Sequence, residues 1–324
     1  MRERPSHLED RLHDALVTWG IHVVAFDHVP LGFGDHHWSA IDTLGRRWFT
    51  TVADLGHKPH LGLDPGSARR RLEQAMDTAA RLHDVEGLGF VVAPLRTPTG
   101  ATLVSIDDRH VLSVFPFVEG VSGVELTADR RLRVLDVLAR LHRRGAVGAP
   151  AVPVRLRGGD RLSRLLDHPT EIGDAGPHAG PTAELLAEHA APLRERLAEF
   201  DRDTEALREA PTVTTHGEPH PGNLLWLGDR PLLVDWDTVG MAVPERDLWS
   251  VTGDPAELDH YARVRGHRPD PALMDLYRLR AELQDLVEFV CRFGAHHGGG
   301  ADDEQAWRGL VAVVERLATR SGVP

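Results

Sequence analysis

Cysteine and lysine are almost missing from this sequence: Cys291 stands alone, and of 37 Lys plus Arg residues only Lys58 is a lysine. A single cysteine excludes an internal disulfide and makes a reducing compartment, the cytoplasm, the simpler expectation. A single lysine leaves one candidate for any role that needs an ammonium side chain. No run of the sequence approaches the roughly 20 apolar residues of a membrane-spanning helix, and the charged opening "MRERPSHLEDRLHD" lacks the apolar centre of a signal peptide. No membrane partner is therefore expected. Positive charge is also short, and the net charge of −12 argues against a general nucleic-acid binder, whose phosphate contacts need a basic field. The same charge is compatible with a cationic substrate. The sequence shows no internal repeat and no low-complexity tract, and nothing in it fixes an oligomeric state.

What is present is enough apolar residue, 41%, in a chain of 324 residues, to build two cores, because single cores usually stop growing below this size. Leu8, Leu12, Ala15 and Leu16 lie on one helical face and predict a short helix over residues 7–18. Residues 21–55 read as three strands of an antiparallel meander, broken by turn signals at 32–35 and 43–45. A helix is expected over 67–83, then strands near 89–95 and 101–106 leading into "HVLSVFPFVEG". Beyond Gly120 and Gly123 helical periodicity dominates: 128–143, a short helix at 161–167 in a Gly/Pro/Arg-rich stretch, one helix over 181–200, then 244–252, 256–265, 271–293 and 302–319. Two short strands, 224–227 and 232–234, interrupt them. The expected organisation is α+β, with a sheet-rich domain over 1–117 and a mainly helical domain over 118–324.

The stretch "THGEPHPGN", residues 215–223, gathers two histidines, a carboxylate and an amide where turn formation is strong. Two histidines four apart suggest zinc only on a helix, and Gly217, Pro219 and Pro221 exclude one here. Glu218 stands five residues before Asn223, and twelve residues further an apolar strand delivers Asp235 and Asp237 in "VDWD". Such groups suit phosphoryl transfer: one carboxylate takes the proton of an attacking hydroxyl while an amide oxygen and a second carboxylate hold Mg²⁺ against nucleotide phosphates. The same carboxylate-to-amide spacing occurs in the protein-kinase catalytic loop. The plainer reading, with Glu218 a solvated surface acid and Asp235 and Asp237 turn residues after a strand, stays open on these residues alone.

"HGEPHPGNLLW" and "LLVDWDTVGMAVPERDLW" resemble the catalytic and metal-binding segments of the aminoglycoside phosphotransferase and choline kinase superfamily, which shares the two-lobed protein-kinase fold. Weaker similarity runs through most of the chain, including "LARLH" at 138–142. The resemblance implies a small antiparallel-sheet N-lobe, a hinge at "VFPFVEG", a larger helical C-lobe, and ATP or GTP with Mg²⁺ as cofactors. It places Glu218 on the catalytic base, Asn223 and Asp235 on the magnesium ligands, and His216 on a residue that braces the loop, with Asp237 supporting the metal site. At the hinge it puts the Pro116 carbonyl and the Val118 N–H against adenine. Gly32 and Gly34 fall on the phosphate-covering turn, without its third glycine.

Two departures stand out. The family carries Asp where this chain has Glu218, whose extra methylene moves the carboxylate by about 1.5 Å, the scale at which misplacement is costly. At the strand position that normally presents a lysine to the phosphates this chain offers Thr51, and Lys58 lies seven residues on. Lys58 could reach back into the site, an arginine could substitute, or Mg²⁺ and backbone N–H groups could hold the phosphates. Glu73 is the counterpart of the carboxylate that pairs with the missing lysine. Only nine positions separate Asp235 from Pro244, too few for a peptide-docking activation segment, so a small hydroxylated acceptor is expected. The family's antibiotic-modifying members point to antibiotic resistance and to an aminoglycoside-like or amino-alcohol acceptor. Glu282, Asp285 and Glu288, three apart along one helix, would meet its cationic groups, or would form a solvated face with Arg278 and Arg292. The rival reading is a nucleotide-binding pseudokinase without transfer activity.

Overall fold

The structure is a computed structural model that describes residues 5–30, 35–58, 60–62, 64–145, 148–207 and 210–319. In chain order the elements begin with α1 (Ser6–Val17), β1 (Val23–Val29), β2 (Asp35–Asp42), β3 (Arg47–Asp54), α2 (Pro65–Asp84), β4 (Val104–Ser105), β5 (His110–Pro116) and α3 (Ala128–Leu141). There follow α4 (Gly159–Asp167), α5 (Ala179–Glu188), α6 (Ala190–Ala206), β6 (Val213–Thr215), β7 (Leu224–Leu227), β8 (Arg230–Leu233), β9 (Gly240–Ala242), α7 (Glu245–Leu248), α8 (Pro255–Arg265), α9 (Pro271–Phe293) and α10 (Ala301–Thr319). They form two compact units, residues 1–152 with 211–269 and residues 153–210 with 270–324.

The first unit is built on an antiparallel sheet of order β1-β2-β3-β5-β4. Strict alternation along β2 sends Trp38 to one face, where it packs with Val52, Leu112 and Val114 of the neighbouring strands and with Leu8, Leu12 and Leu16 of α1. This is the period-two and period-3.6 patterning of two amphipathic elements sharing one core. The β2–β3 turn is fixed by Asp42, whose Oδ1 accepts from the Leu44 and Arg46 N–H groups, both at 2.9 Å, the Asx-turn chemistry expected of that residue. The opposite face carries Asp35, His37, Phe49, Thr51 and Ser113, because Thr51 is in register with His37 and with Ser113. Asp64 caps α2 through a reciprocal capping box with Ser67, and Pro65 opens it.

Three expected elements differ. Residues 89–95 form a single bridge, Val91 to Leu233, in place of a strand, since Pro94 lacks the N–H that would extend a ladder. The strand expected over 101–106 shrinks to Val104–Ser105. The single helix expected over 181–200 is two, α5 and α6, separated at His189. Pro192 cannot donate to residue 188 and its ring collides with that carbonyl, so a continuous helix is blocked there.

Two strands absent from the sequence reading organise the rest of the first unit. β6 pairs with β9, Thr215 opposite Gly240, and β7 with β8 form a hairpin. The loops that leave β6 and β8, residues 216–223 and 234–239, are therefore held side by side. In the second unit α4, α5, α6, α9 and α10 enclose an aliphatic core that includes Leu162, Leu193, Leu279, Leu283, Leu286 and Val314. No helix among the described residues is long and apolar enough to cross a membrane.

Candidate active site

The loop after β6 is anchored by one buried carboxylate. Asp247, at the start of the chain's "RDLW" segment and fully buried, accepts from the His216 N–H at 2.8 Å, the Gly217 N–H at 2.6 Å and His142 Nε2 at 3.0 Å. The other ring nitrogen of His142 meets the Tyr261 hydroxyl at 2.7 Å. Burial would raise the Asp247 carboxyl, but the His142 bond and the charges around it hold it below the ordinary carboxylate range. Gly217 has φ +106°, and a Cβ there would lie 2.3 Å from Arg246 Nη2, so only glycine fits. Arg246 laces the two loops together, donating to the Thr215 hydroxyl at 2.6 Å and the Thr238 carbonyl at 2.8 Å.

His216 is buried and braces the loop through a defined tautomer. Its Nε2–H donates to the Val234 carbonyl at 2.9 Å, so Nδ1 is the acceptor for the Glu218 N–H at 3.3 Å. Burial pushes this imidazole down to about 4, against the pull of Asp247, and it is neutral at physiological pH. Asn223 Nδ2 donates to the Glu218 carbonyl at 3.1 Å, and the Asn223 carbonyl accepts from the Val234 N–H at 3.1 Å. These bonds hold Asn223 between the two loops, and the Glu218 charge lies near enough to act on Asp235.

Asp235 is the one non-glycine residue at positive φ, 62°, among the described residues. Neither its carboxylate nor that of Glu218 makes a hydrogen bond or ion pair among the described residues. Part of Asp235 remains open to solvent, yet the surrounding protein displaces enough water, and Asp237, Asp35 and Glu218 carry enough like charge, to push its carboxyl up. Asp237 is already engaged: Lys58 Nζ lies 2.9 Å and His60 Nε2 3.1 Å from its Oδ2. Burial opposes ionisation of Asp237, but those two partners hold it well below the usual range.

Among the described residues no three His, Cys, Asp or Glu side chains form a ready-made metal cage. Mg²⁺ does not need one, because it is held by one or two protein oxygens, water and substrate phosphates. An uncommitted Asp235 carboxylate crowded by negative charge, with the Asn223 amide oxygen nearby, fits that ion.

Lys58 is buried at 5% exposure, and its second partner is Asp35, at 3.0 Å. Glu73, the expected partner of a phosphate-site lysine, instead lines a separate cavity of about 560 Å³ with Arg70 and Arg81. Thr51 bonds His37 Nδ1 through its hydroxyl at 3.1 Å. Gly32 and Gly34 lie outside the described residues. Pro116 closes β5 opposite Trp48, and Val118 follows Phe117, whose ring carries the Arg47 guanidinium at 3.6 Å. The residues that sequence reasoning missed are Asp35, His60, His142, Asp247 and Tyr261. "PERDLW" and "LARLH" contained the signal for Asp247 and His142, whereas no local pattern marks Asp35 or His60.

Glu282, Asp285 and Glu288 lie on α9 in the second unit. Arg278 and Arg292 are occupied by Asp275 and Asp303, and Glu282 has Arg316 at 3.8 Å. Partial desolvation, then Glu288 and Glu282, push the Asp285 carboxyl up.

Residues 40–286 match the model of a phosphotransferase enzyme family. Protein StrN of Streptomyces griseus is 31% identical over 255 residues, which cover 69% of this chain and 72% of StrN. Stress response kinase A of Salmonella choleraesuis (strain SC-B67) is 31% identical over 171 residues, 52% of this chain and 48% of that protein, so the chain spans about half the length of that relative. Among solved structures, spectinomycin phosphotransferase in complex with ADP and spectinomycin superposes with a TM-score of 0.72 at 15% identity, over 95% of this chain and 97% of that one. Macrolide 2′-phosphotransferase from Brachybacterium faecium gives 0.55 at 18% identity, over 98% and 100%. At these identities the two structures establish the fold, that of kinase-like phosphotransferases.

Proposed function

This chain belongs to the phosphotransferase enzyme family as a small-molecule kinase, and we propose that it moves the γ-phosphoryl group of ATP, or of GTP, to a hydroxyl of a small cationic molecule of aminoglycoside or amino-alcohol type. The observation that carries this reading is the pair of carboxylates, Glu218 and Asp235, without a partner among the described residues, close enough for the charge of one to act on the other and joined through Asn223. Every other acid around them is engaged.

In this reading Glu218 orients the acceptor hydroxyl and takes its proton as that oxygen forms a bond to the γ-phosphorus. The bond from phosphorus to the β–γ bridging oxygen breaks and the nucleoside diphosphate leaves. Asn223 Oδ1 and Asp235 would hold Mg²⁺, which when bound would supply positive charge to the nucleotide phosphates. His216 keeps the loop in shape, Asp237 supports the metal loop from behind, Pro116 and Val118 receive the base, and Thr51 lies along the phosphates. Catalysis comes from positioning and charge neutralisation. Solved relatives in complex with ADP support the nucleotide. The net charge of −12 supports a cationic acceptor. The spectinomycin and macrolide phosphotransferases among the structural neighbours support antibiotic modification, carried out in the cytoplasm.

The test is incubation with Mg-ATP and a panel of aminoglycosides, nucleoside antibiotics and amino alcohols, reading a mass gain of one phosphoryl group on an acceptor. Tight Mg-ATP binding without product over a broad panel, and slow ATP hydrolysis unchanged in Glu218→Gln, would turn the assignment toward a pseudokinase.

A further inference from the structure

The protein's only lysine is spent on two acids. Lys58 Nζ sits 3.0 Å from Asp35 Oδ2 and 2.9 Å from Asp237 Oδ2, and His60 Nε2 reaches the same Asp237 oxygen at 3.1 Å. Asp35 is the first residue of β2, immediately after residues 31–34. Asp237 lies two residues past Asp235, in the loop that leaves β8. The ammonium thus ties the start of β2 to the loop that carries the free carboxylate.

Two roles are chemically open to such a lysine: contact with nucleotide phosphates, or service as an internal counter-ion. Charge decides between them. One ammonium between two ionised carboxylates leaves that triad at net −1, which offers no positive field to a phosphate. An excursion of Lys58 toward a ligand would also take away the ammonium that both poorly solvated acids contact. Asp35 illustrates the point, since burial already pushes its carboxyl up with Lys58 as the main opposing influence.

The delivery of Lys58 is braced independently of any ligand. It follows the single turn Leu55–His57, which Asp54 caps through the Gly56 N–H at 2.9 Å. Asp54 is itself held by Arg109 Nε at 2.6 Å. On the other side, Asp235 has a left-handed backbone, which a residue with a Cβ keeps only where its surroundings over-determine it. Val234 before it is held by Asn223, Trp236 after it is buried with Nε1 on the Leu233 carbonyl at 3.0 Å, and Asp237 is held by Lys58.

We propose that Lys58 is a positioning residue, a fixed counter-ion that clamps Asp237 to Asp35 and so holds Asp235 ready for the metal, while the phosphates are bound by Mg²⁺ and other donors. This rests on the reading of the site as a Mg-nucleotide site. The test compares the wild type, Lys58→Met and the charge-balanced double variant Lys58→Met/Asp35→Asn by calorimetric binding of ADP, once with Mg²⁺ and once with EDTA. The clamp predicts that Lys58→Met loses about tenfold or more of the gain in affinity that Mg²⁺ provides, with affinity in EDTA unchanged. It predicts that the double variant recovers most of that gain, because the repulsion the lysine had balanced is gone. A merely structural role would not move the Mg²⁺ increment selectively. Equal loss in EDTA and in Mg²⁺ without rescue in the double variant would make Lys58 a phosphate ligand and overturn the clamp. If Lys58→Met fails to fold, the double variant decides alone, since under the clamp it keeps wild-type affinity in EDTA as well as the Mg²⁺ increment, whereas loss of a phosphate ligand weakens ADP binding in both conditions alike. A wild type that binds no nucleotide under either condition refutes the functional reading itself, and the clamp with it.

Discussion

Replacing Asp247 by Asn removes one atom's worth of chemistry from the interior and should cost a large share of the first unit's stability. The carboxylate serves three donors: Gly217 N–H on Oδ1, His216 N–H and His142 Nε2 on Oδ2. An amide has one acceptor oxygen. With that oxygen toward Gly217, its NH₂ faces the His216 N–H; with it toward His216, its NH₂ faces the Gly217 N–H. His142 can change tautomer and accept, turning its proton toward Tyr261, but a backbone N–H cannot. At least one buried donor is therefore orphaned at about 1–3 kcal/mol, and each of the two remaining bonds falls from the charged-group value of about 1.5–3 kcal/mol to the ordinary value of about 0.5–1.5 kcal/mol, a loss of about 1 kcal/mol apiece. The expected loss is about 2–5 kcal/mol against a typical total of about 5–15 kcal/mol. Urea denaturation followed by tryptophan fluorescence measures it, since Trp236 packs edge-on against His216 with ring centroids 4.6 Å apart. A midpoint shift worth less than about 0.5 kcal/mol, the scale of an ordinary surface substitution, would refute the anchoring role.

Three further outcomes are expected. Glu218→Gln should keep Mg-nucleotide affinity and lower phosphoryl transfer by about 10²–10⁴-fold, the usual worth of a positioned base; transfer within tenfold of wild type in a steady-state assay would remove Glu218 from that role. Gly217→Ala should prevent folding of the loop, since φ +106° and a contact of 2.3 Å to Arg246 Nη2 leave a Cβ no room; a soluble variant with wild-type melting temperature and activity contradicts this. His216, neutral in the fold with its pKa pushed down to about 4, binds a proton more readily when unfolded, near 6.5. Its contribution is complete above pH 6.5 and is lost as pH falls to about 4, a change of about 3 kcal/mol. Imidazole NMR resonances should show the Nε2–H tautomer and no titration between pH 7 and 5, and a ring that titrates near 6.5 would disprove the burial argument.

The elements legible in the sequence are those long enough to repeat their pattern. α1 and α9 were expected within a residue of where they lie, and the three strands β1–β3 were expected with the turn at 43–45, because each buries a regular face. β6 and β9 were not, since three residues each cannot display an alternation. The break between α5 and α6 was written in Pro192 and overlooked because the apolar spacing continues across it.

The site divides along the same physical line. Glu218, Asn223 and Asp235 were legible because their spacing within two short segments is set by local backbone geometry, a loop after one strand and a turn after another. Asp35, His60 and Lys58 meet Asp237 from 202, 177 and 179 positions away in sequence, and only the antiparallel sheet, which brings the start of β2 beside the end of β3 (Asp35 opposite Ala53), makes them neighbours. Such a cluster leaves no spacing to read, but it leaves a compositional trace: a chain that carries a single lysine and buries it has one position where arginine does not serve. Arginine's planar fork would need more room and a different angle than an ammonium held between two single oxygens. An ammonium held between Asp35 and Asp237 therefore suits position 58 in shape as well as in charge.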